Sequence, residues 1–304
     1  MTDDLFLLSE FKKTLRRNAK SNFVDFDTQF RHKFDFYIER FEDVLENTNR
    51  TIPPNRWSYH RIVLIKEGHG DFITGIYKFR ANKNTLVVIP SSVITSSKNW
   101  TTDMKGFVML FNINFFLQNN FPPRYIKNKN ILYASVKPYI HLTSKQAKEV
   151  NDIFEAIIQE KNSNNIHKVE LISLKIIELL VLSERLFDNK QHFEENLPSL
   201  NIIRNFIILL DKHFLKEHSV KFYAKLLAVH PNYLNSVVKK NTNLTVKESI
   251  QNRLLLESKY LLHSTGLSIK EISNQVGFND PNYFTAFFKR FENKSPATYR
   301  SSFV

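Results

Sequence analysis

Residues 230–250 read HPNYLNSVVKKNTNLTVKESI, and residues 280–300 read DPNYFTAFFKRFENKSPATYR. Set one above the other, Pro231-Asn232-Tyr233 falls on Pro281-Asn282-Tyr283, Leu234 on Phe284, Val237 on Phe287 and Val238 on Phe288. Lys239-Lys240 falls on Lys289-Arg290, Asn243 on Asn293, and Thr245 on Ser295. Apolar positions keep their type and basic positions keep their sign, the mark of two copies of one unit.

Each copy reads as a short helix (220–227; 269–275), a turn and a second helix (231–241; 281–291). Gly277 suits the positive φ that ends a helix, Asn279 or Asp280 can cap the next one, and Pro281 fits its first turn. His230 is a weaker cap. The second helix buries Leu234, Val237 and Val238 in one copy and Phe284, Phe287 and Phe288 in the other. Its opposite face carries Asn232, Asn235, Ser236 and Lys239 at helical spacing, or Asn282, Thr285, Ala286 and Lys289. A helix anchored on one side, with small hydrogen-bonding side chains on the other, suits a DNA major groove. Asn232, Asn235, Ser236, Asn282, Thr285 and Ala286 are the candidate base-facing residues, and Lys239, Lys240, Lys289 and Arg290 the candidate phosphate contacts. A solvated helical hairpin explains either copy alone; duplication in a basic region argues against it. Between the copies, 246–263 reads as one helix of about 27 Å, with Arg253 and Glu257 spaced for an i,i+4 pair. Such a rod can set two recognition helices about one DNA turn, ~34 Å, apart.

The charge is placed accordingly. The 304 residues carry 43 Lys+Arg against 30 Asp+Glu, a net charge of +13; from Asn201 onward the counts are 15 and 7. That asymmetry is expected of a domain that meets a polyanion. An apolar content of 42% excludes a wholly disordered or collagen-like chain. With no Cys, disulfides, thiolate metal sites and cysteine nucleophiles are excluded. Met1-Thr2-Asp3-Asp4 lacks a secretion signal, and the apolar stretch 171–182 is interrupted by Lys175 and Glu178, so a soluble, cytoplasmic protein without a membrane span is expected.

The first part of the chain has a different texture. An aromatic segment with Phe26, Phe30, Phe34, Phe36 and Phe41 ends at a breaker, Pro53-Pro54. Strand-like runs follow at 59–66, 71–79, 85–89 and 107–112, with Gly75 inside the second and Gly68-His69-Gly70 read as a hairpin turn. They suggest an antiparallel β-barrel or sandwich. A helix capped by Ser144 and a second over 166–187 follow. The second has an apolar face (Ile172, Leu174, Ile176, Ile177, Leu179, Leu180, Leu182) too wide for one stripe, buried either within the monomer or against a second subunit. The polar stretch 188–199 reads as a linker. Trp57, Tyr59, His60 and Trp100 are candidates to line an apolar ligand pocket, or are simply core. No His-x-His pair is present, and His60 and His69 have no carboxylate at ligand spacing, so no metal and no cofactor are expected.

The repeat region resembles the AraC/XylS family of bacterial transcription regulators, most specifically at Ile272-Ser273, Gly277-Phe278, Tyr283-Phe284, Phe288-Lys289, Ser295-Pro296 and Tyr299-Arg300. The resemblance implies two helix-turn-helix units joined by a long helix, with recognition helices 231–240 and 281–290. Where the family often has Arg, this chain has Ser236 and Ala286, which shifts affinity toward phosphate contacts. The first ~140 residues resemble, by strand pattern and domain order, the cupin-like sensor barrel of that family. The expected class is thus α+β: a cupin-like barrel (1–143), a helical hairpin and possible dimer interface (144–187), a linker (188–199) and an all-α DNA-binding domain (200–304). The expected function is a sequence-specific transcription regulator, an activator responding to a small molecule. Promoter DNA, RNA polymerase and a second copy are its expected partners. The alternatives are a constitutive dimeric DNA-binding protein, or a cupin-type metal enzyme fused to a DNA-binding domain. No paired carboxylates or nucleophile elbow support catalysis, and a non-enzyme is expected.

Overall fold

The computed structural model describes residues 35–45, 50–122, 124–127, 129–132, 137–191 and 198–302. Phe26, Phe30 and Phe34 lie outside the described residues, as do 192–197 of the expected linker.

The N-terminal part is antiparallel β. Its strands are β1 (Phe36–Arg40), β2 (Ile52–Asn55), β3 (His60–Glu67), β4 (Gly70–Thr74), β5 (Tyr77–Ala81), β6 (Thr85–Ile89), β7 (Thr95–Lys98), β8 (Lys105–Phe111) and β9 (Tyr139–His141). They form a five-stranded sheet, β1-β8-β3-β6-β9, and a four-stranded sheet, β2-β7-β4-β5. The strands thus lie in two facing sheets, not in one closed hydrogen-bonded ring. The cause lies at Gly68-His69, which carries the chain from one sheet to the other, so β3 pairs with β6 and β8 while β4 pairs with β5 and β7. It is a corner and not the hairpin read from the sequence.

β3 and β6 are almost wholly apolar because both faces are covered. Ile62, Leu64, Leu86 and Val88 join Phe107 and Phe111 on the outer face, beneath the helices. Val63, Ile65, Val87 and Ile89 face inward, against Phe72, Phe79 and Trp100. Two local readings need correction. The run 71–79 is a hairpin, because Gly75, at a φ of 55°, turns the chain between β4 and β5. Pro53-Pro54 is not a break but part of β2, which among the described strands pairs only with β7; an edge strand tolerates residues that cannot donate.

Short helices α1 (Phe41–Leu45), α2 (Ile113–Gln118) and α3 (Arg124–Lys127) precede the hairpin of α4 (Ser144–Lys161) and α5 (Lys168–Gln191). The cap of α4 is Thr143, one residue before the expected Ser144, because Gln146 completes a capping box with it. Val150, Phe154 and Ile157 of α4 and Ile172, Ile176, Leu179 and Leu180 of α5 pack on the outer sheet face, with Phe107 and Phe154 stacked 5.0 Å apart. The wide face of α5 is therefore divided: one side is buried within the monomer, while Val169, Leu171 and Leu174 remain exposed. The helix continues to Gln191, into the expected linker.

The C-terminal part is all helix: α6 (Pro198–His213), α7 (Val220–Leu226), α8 (Pro231–Thr242), α9 (Val246–Ser264), α10 (Ile269–Gln275), α11 (Pro281–Glu292) and α12 (Pro296–Ser301). One core joins them, from Phe206 and Leu210 on α6 through Leu254 and Leu262 on α9 to Phe284 and Phe288 on α11, and Ile76 of the β domain packs into it.

Candidate nucleic-acid interface

The two units are built alike, atom by atom at their ends. α8 begins where His230 Nδ1 accepts the Asn232 N–H at 3.3 Å, and α11 where Asp280 Oδ1 accepts the Asn282 N–H at 2.8 Å. Both have Pro at the first turn, and both stop at an asparagine in the left-handed conformation, Asn243 (φ 59°) and Asn293 (φ 56°). Asn is, after Gly, the residue that tolerates this region best. The turn before α11 needs Gly277: its φ is 85°, and a Cβ there would lie 1.9 Å from the Leu215 carbonyl oxygen.

Burial repeats as the sequence does. Leu234 and Val238 are buried in α8, and Phe284 and Phe288 at the equivalent places in α11. Asn232, Ser236, Lys239 and Lys240 are exposed on the first helix, and Asn282, Ala286, Lys289 and Arg290 on the second. Neither helix carries an acid over its first ten residues, and each has a basic pair in its last turn. Such a surface can offer donors and acceptors to base edges along its middle and cations to the backbone at its end.

Asn235 and Thr285 stand apart from the other candidates, for both are half-buried. The Asn235 side-chain oxygen accepts the Val246 N–H at 3.0 Å, closing the first turn of α9. At the matching place in the second unit stands Pro296, which has no N–H to offer, and Thr285 is relieved of that task. Asn235 therefore serves the fold with its carbonyl oxygen. The sequence reading also passed over an exposed aromatic pair. Tyr233 is 46% and Tyr283 69% exposed, next to Asn232 and Asn282 on the same surface. Their identical placement in both copies was the available signal.

The connecting helix α9 has its own polar centre. Arg253 donates to Asp211 of α6 at 2.8 Å and to Glu257 at 2.9 Å, with its guanidinium 4.0 Å above the Phe214 ring. The i,i+4 pair read from the sequence is thus one link of a longer chain. Glu257 also accepts a hydrogen bond from Arg56, at 2.5 Å, from the β domain. Arg56 in turn lies over Tyr260 at 4.8 Å. Arg253 and Glu257 are buried, so each is held by its partners, while Asp211 and Arg56 at the two ends of the chain reach water.

Of the β-domain candidates, Trp57, Tyr59 and Trp100 are buried. Trp100 is packed against Phe41 and Phe72 and is core, not the wall of an open pocket. His60 is half-buried; its Nδ1 accepts the Ser91 N–H at 3.1 Å, and burial pushes its pKa down to about 4. Among the described residues, no three His, Asp or Glu side chains stand together as a metal site. No described helix is long and apolar enough to cross a membrane.

A family model described as "Helix-turn-helix domain" matches residues 223–302. The chain is 36% identical over 110 residues to the Msm operon regulatory protein of Streptococcus mutans, a match spanning 36% of this chain and 40% of that protein. It is 22% identical over 253 residues to the HTH-type transcriptional activator RhaS of an Enterobacter species, covering 82% of this chain and 87% of the relative. Among solved structures, ToxT from Vibrio cholerae aligns over 88% of this chain and 98% of its own, at 12% identity and a TM-score of 0.40.

Proposed function

From a C-terminal helix-turn-helix domain of the AraC/XylS type, we propose that the chain is a sequence-specific transcription regulator, an activator whose β domain senses a small molecule. The observation that carries this reading is the equivalence of the two recognition helices, which expose the same positions and both carry a basic pair in the last turn. Asn232 and Asn282 are assigned to base edges, Ser236 and Ala286 to permissive contacts, and Lys239, Lys240, Lys289 and Arg290 to phosphates. Tyr233 and Tyr283 join them as flanking contacts. No catalytic role is proposed for the β domain. RNA polymerase is the partner an activator requires, and the cytoplasm is where such a partner is met.

A second copy is part of the reading. A groove of about 620 Å³ between α4 and α5 is lined by Glu149, Asp152, Lys175, Glu178, Val181 and Arg185. Charges of both signs beside the apolar residues of α5 make a surface that can complement itself across a two-fold axis.

The deciding experiment is a gel shift with duplexes from upstream of the gene over a series of salt concentrations. Binding should weaken linearly in log–log form as salt rises. Failure to bind any duplex at low salt would overturn the regulator reading.

A further inference from the structure

Arg61, near the start of β3, is buried between the two sheets at 4% exposure. It shares the inward face with Val63 and Ile65, by strand alternation. Among the described residues no carboxylate pairs with it, and burial alone acts on its charge, lowering its pKa to about 9. At neutral pH it is therefore a cation without a counter-ion, a costly arrangement inside a protein.

Its hydrogen bonds are one-sided. Nη1 donates to Asn55 Oδ1 at 2.8 Å. Asn55 is held for this, since its amide donates to the carbonyls of Pro53 at 2.8 Å and Thr95 at 3.0 Å. One face of the guanidinium lies 4.4 Å from the Trp57 ring centre. The other edge, shared by Nε and Nη2, is nearly unused. Nη2 reaches the Val93 carbonyl only at 3.5 Å, and among the described residues Nε has no hydrogen-bond partner. Two parallel N–H groups on one edge of a guanidinium are the fork that a carboxylate fills with both oxygens.

The piece of chain over that edge is a turn. Ser92 sits at a φ of 66° and donates to the Trp57 carbonyl at 2.7 Å. Pro90 and Val93 line a small cavity, about 10 Å³, together with Ile207 and Asp211 of α6. Asp211 is the partner of Arg253 on α9.

We propose that Arg61 is the receptor for a small carboxylate anion, bound side-on by Nε and Nη2 in place of the Val93 carbonyl. This rests on the effector reading above and gives that effector its chemistry: a compact acid of the size of formate or acetate. Binding displaces the 90–93 turn, and the displacement reaches the DNA-binding domain through Val93, Asp211 and Arg253.

The test is thermal unfolding of the full chain in sodium formate and sodium acetate, against sodium chloride at equal ionic strength. The expected result is a saturable rise in melting temperature, about 5 °C at roughly 100 times Kd, which disappears in Arg61→Met. In chloride, Arg61→Met should melt no lower than the wild type, because a buried unpaired charge has been removed. Equal melting in acid and chloride overturns the proposal, and so does a rise that survives in Arg61→Met. Should Arg61→Met not fold, Arg61→Lys takes its place: a point charge without the fork should lose most of the shift. DNA binding of the same protein is measured beside it. Salt-sensitive DNA binding without an acid effect overturns the anion site alone, and absence of DNA binding overturns the regulator reading.

Discussion

At the scale of single residues, the two copies of the repeat differ where chemistry requires it. Asn235 and Thr285 occupy one position, yet only Asn235 has a backbone N–H to satisfy, because Val246 in the first unit is replaced by Pro296 in the second. Asn235→Ala should therefore lower stability by about 1 kcal/mol and Thr285→Ala should be close to neutral, as read from denaturant midpoints. The exposed residues behave otherwise. Asn232→Ala should leave stability unchanged and relax base preference at one position of the binding site, a loss of about 1–3 kcal/mol of discrimination. Lys240→Ala should weaken binding to all sequences alike and reduce the slope of log K against log salt by about 1. Gel shifts on matched and mismatched duplexes over a salt series separate the two effects.

At the scale of elements, the helices of the C-terminal domain were legible because their information is local. Caps and apolar spacing placed α8 and α11 within a residue or two. The Arg253–Glu257 pair follows from neighbours on one helix. The β domain was legible only in outline. That Gly68 turns a corner, that Gly75 splits a run and that Pro53-Pro54 lies in a strand depend on which distant strand pairs with which. Spacing along the chain does not encode this. The same limit hid the Arg56–Glu257 bond and the isolation of Arg61, whose neighbours come from separate strands. Gly277 belongs to the local class and can be tested as such. Gly277→Ala brings a methyl group against the Leu215 carbonyl at a positive φ; the cost, about 3 kcal/mol or more, should appear as a lower melting temperature and loss of the second half-site's footprint.

At the scale of the whole molecule, two half-buried histidines set a response to acid. Burial pushes the pKa of His60 and of His263 down to about 4, from an ordinary value near 6.5. Both therefore stay neutral in the folded state at pH values where the unfolded chain binds protons. Their contribution is complete above about pH 6.5 and is lost as the pH falls toward 4. A decline of about 1–2 kcal/mol per histidine is expected between pH 7 and pH 5, measured by denaturation in buffers of constant ionic strength. The ion-pair chain from Arg56 through Glu257 and Arg253 to Asp211 joins the two domains. Arg56→Ala should leave each domain folded while separating their melting transitions in calorimetry.

The β domain holds the connecting helix α9, through Arg56 and Glu257, and that choice of handle matters. A yoke held at its crossbar moves both oxen together. If the β domain senses a ligand as proposed, its signal would tilt the two recognition helices as a pair, and a promoter with one half-site shifted by five base pairs should lose the whole response rather than half of it.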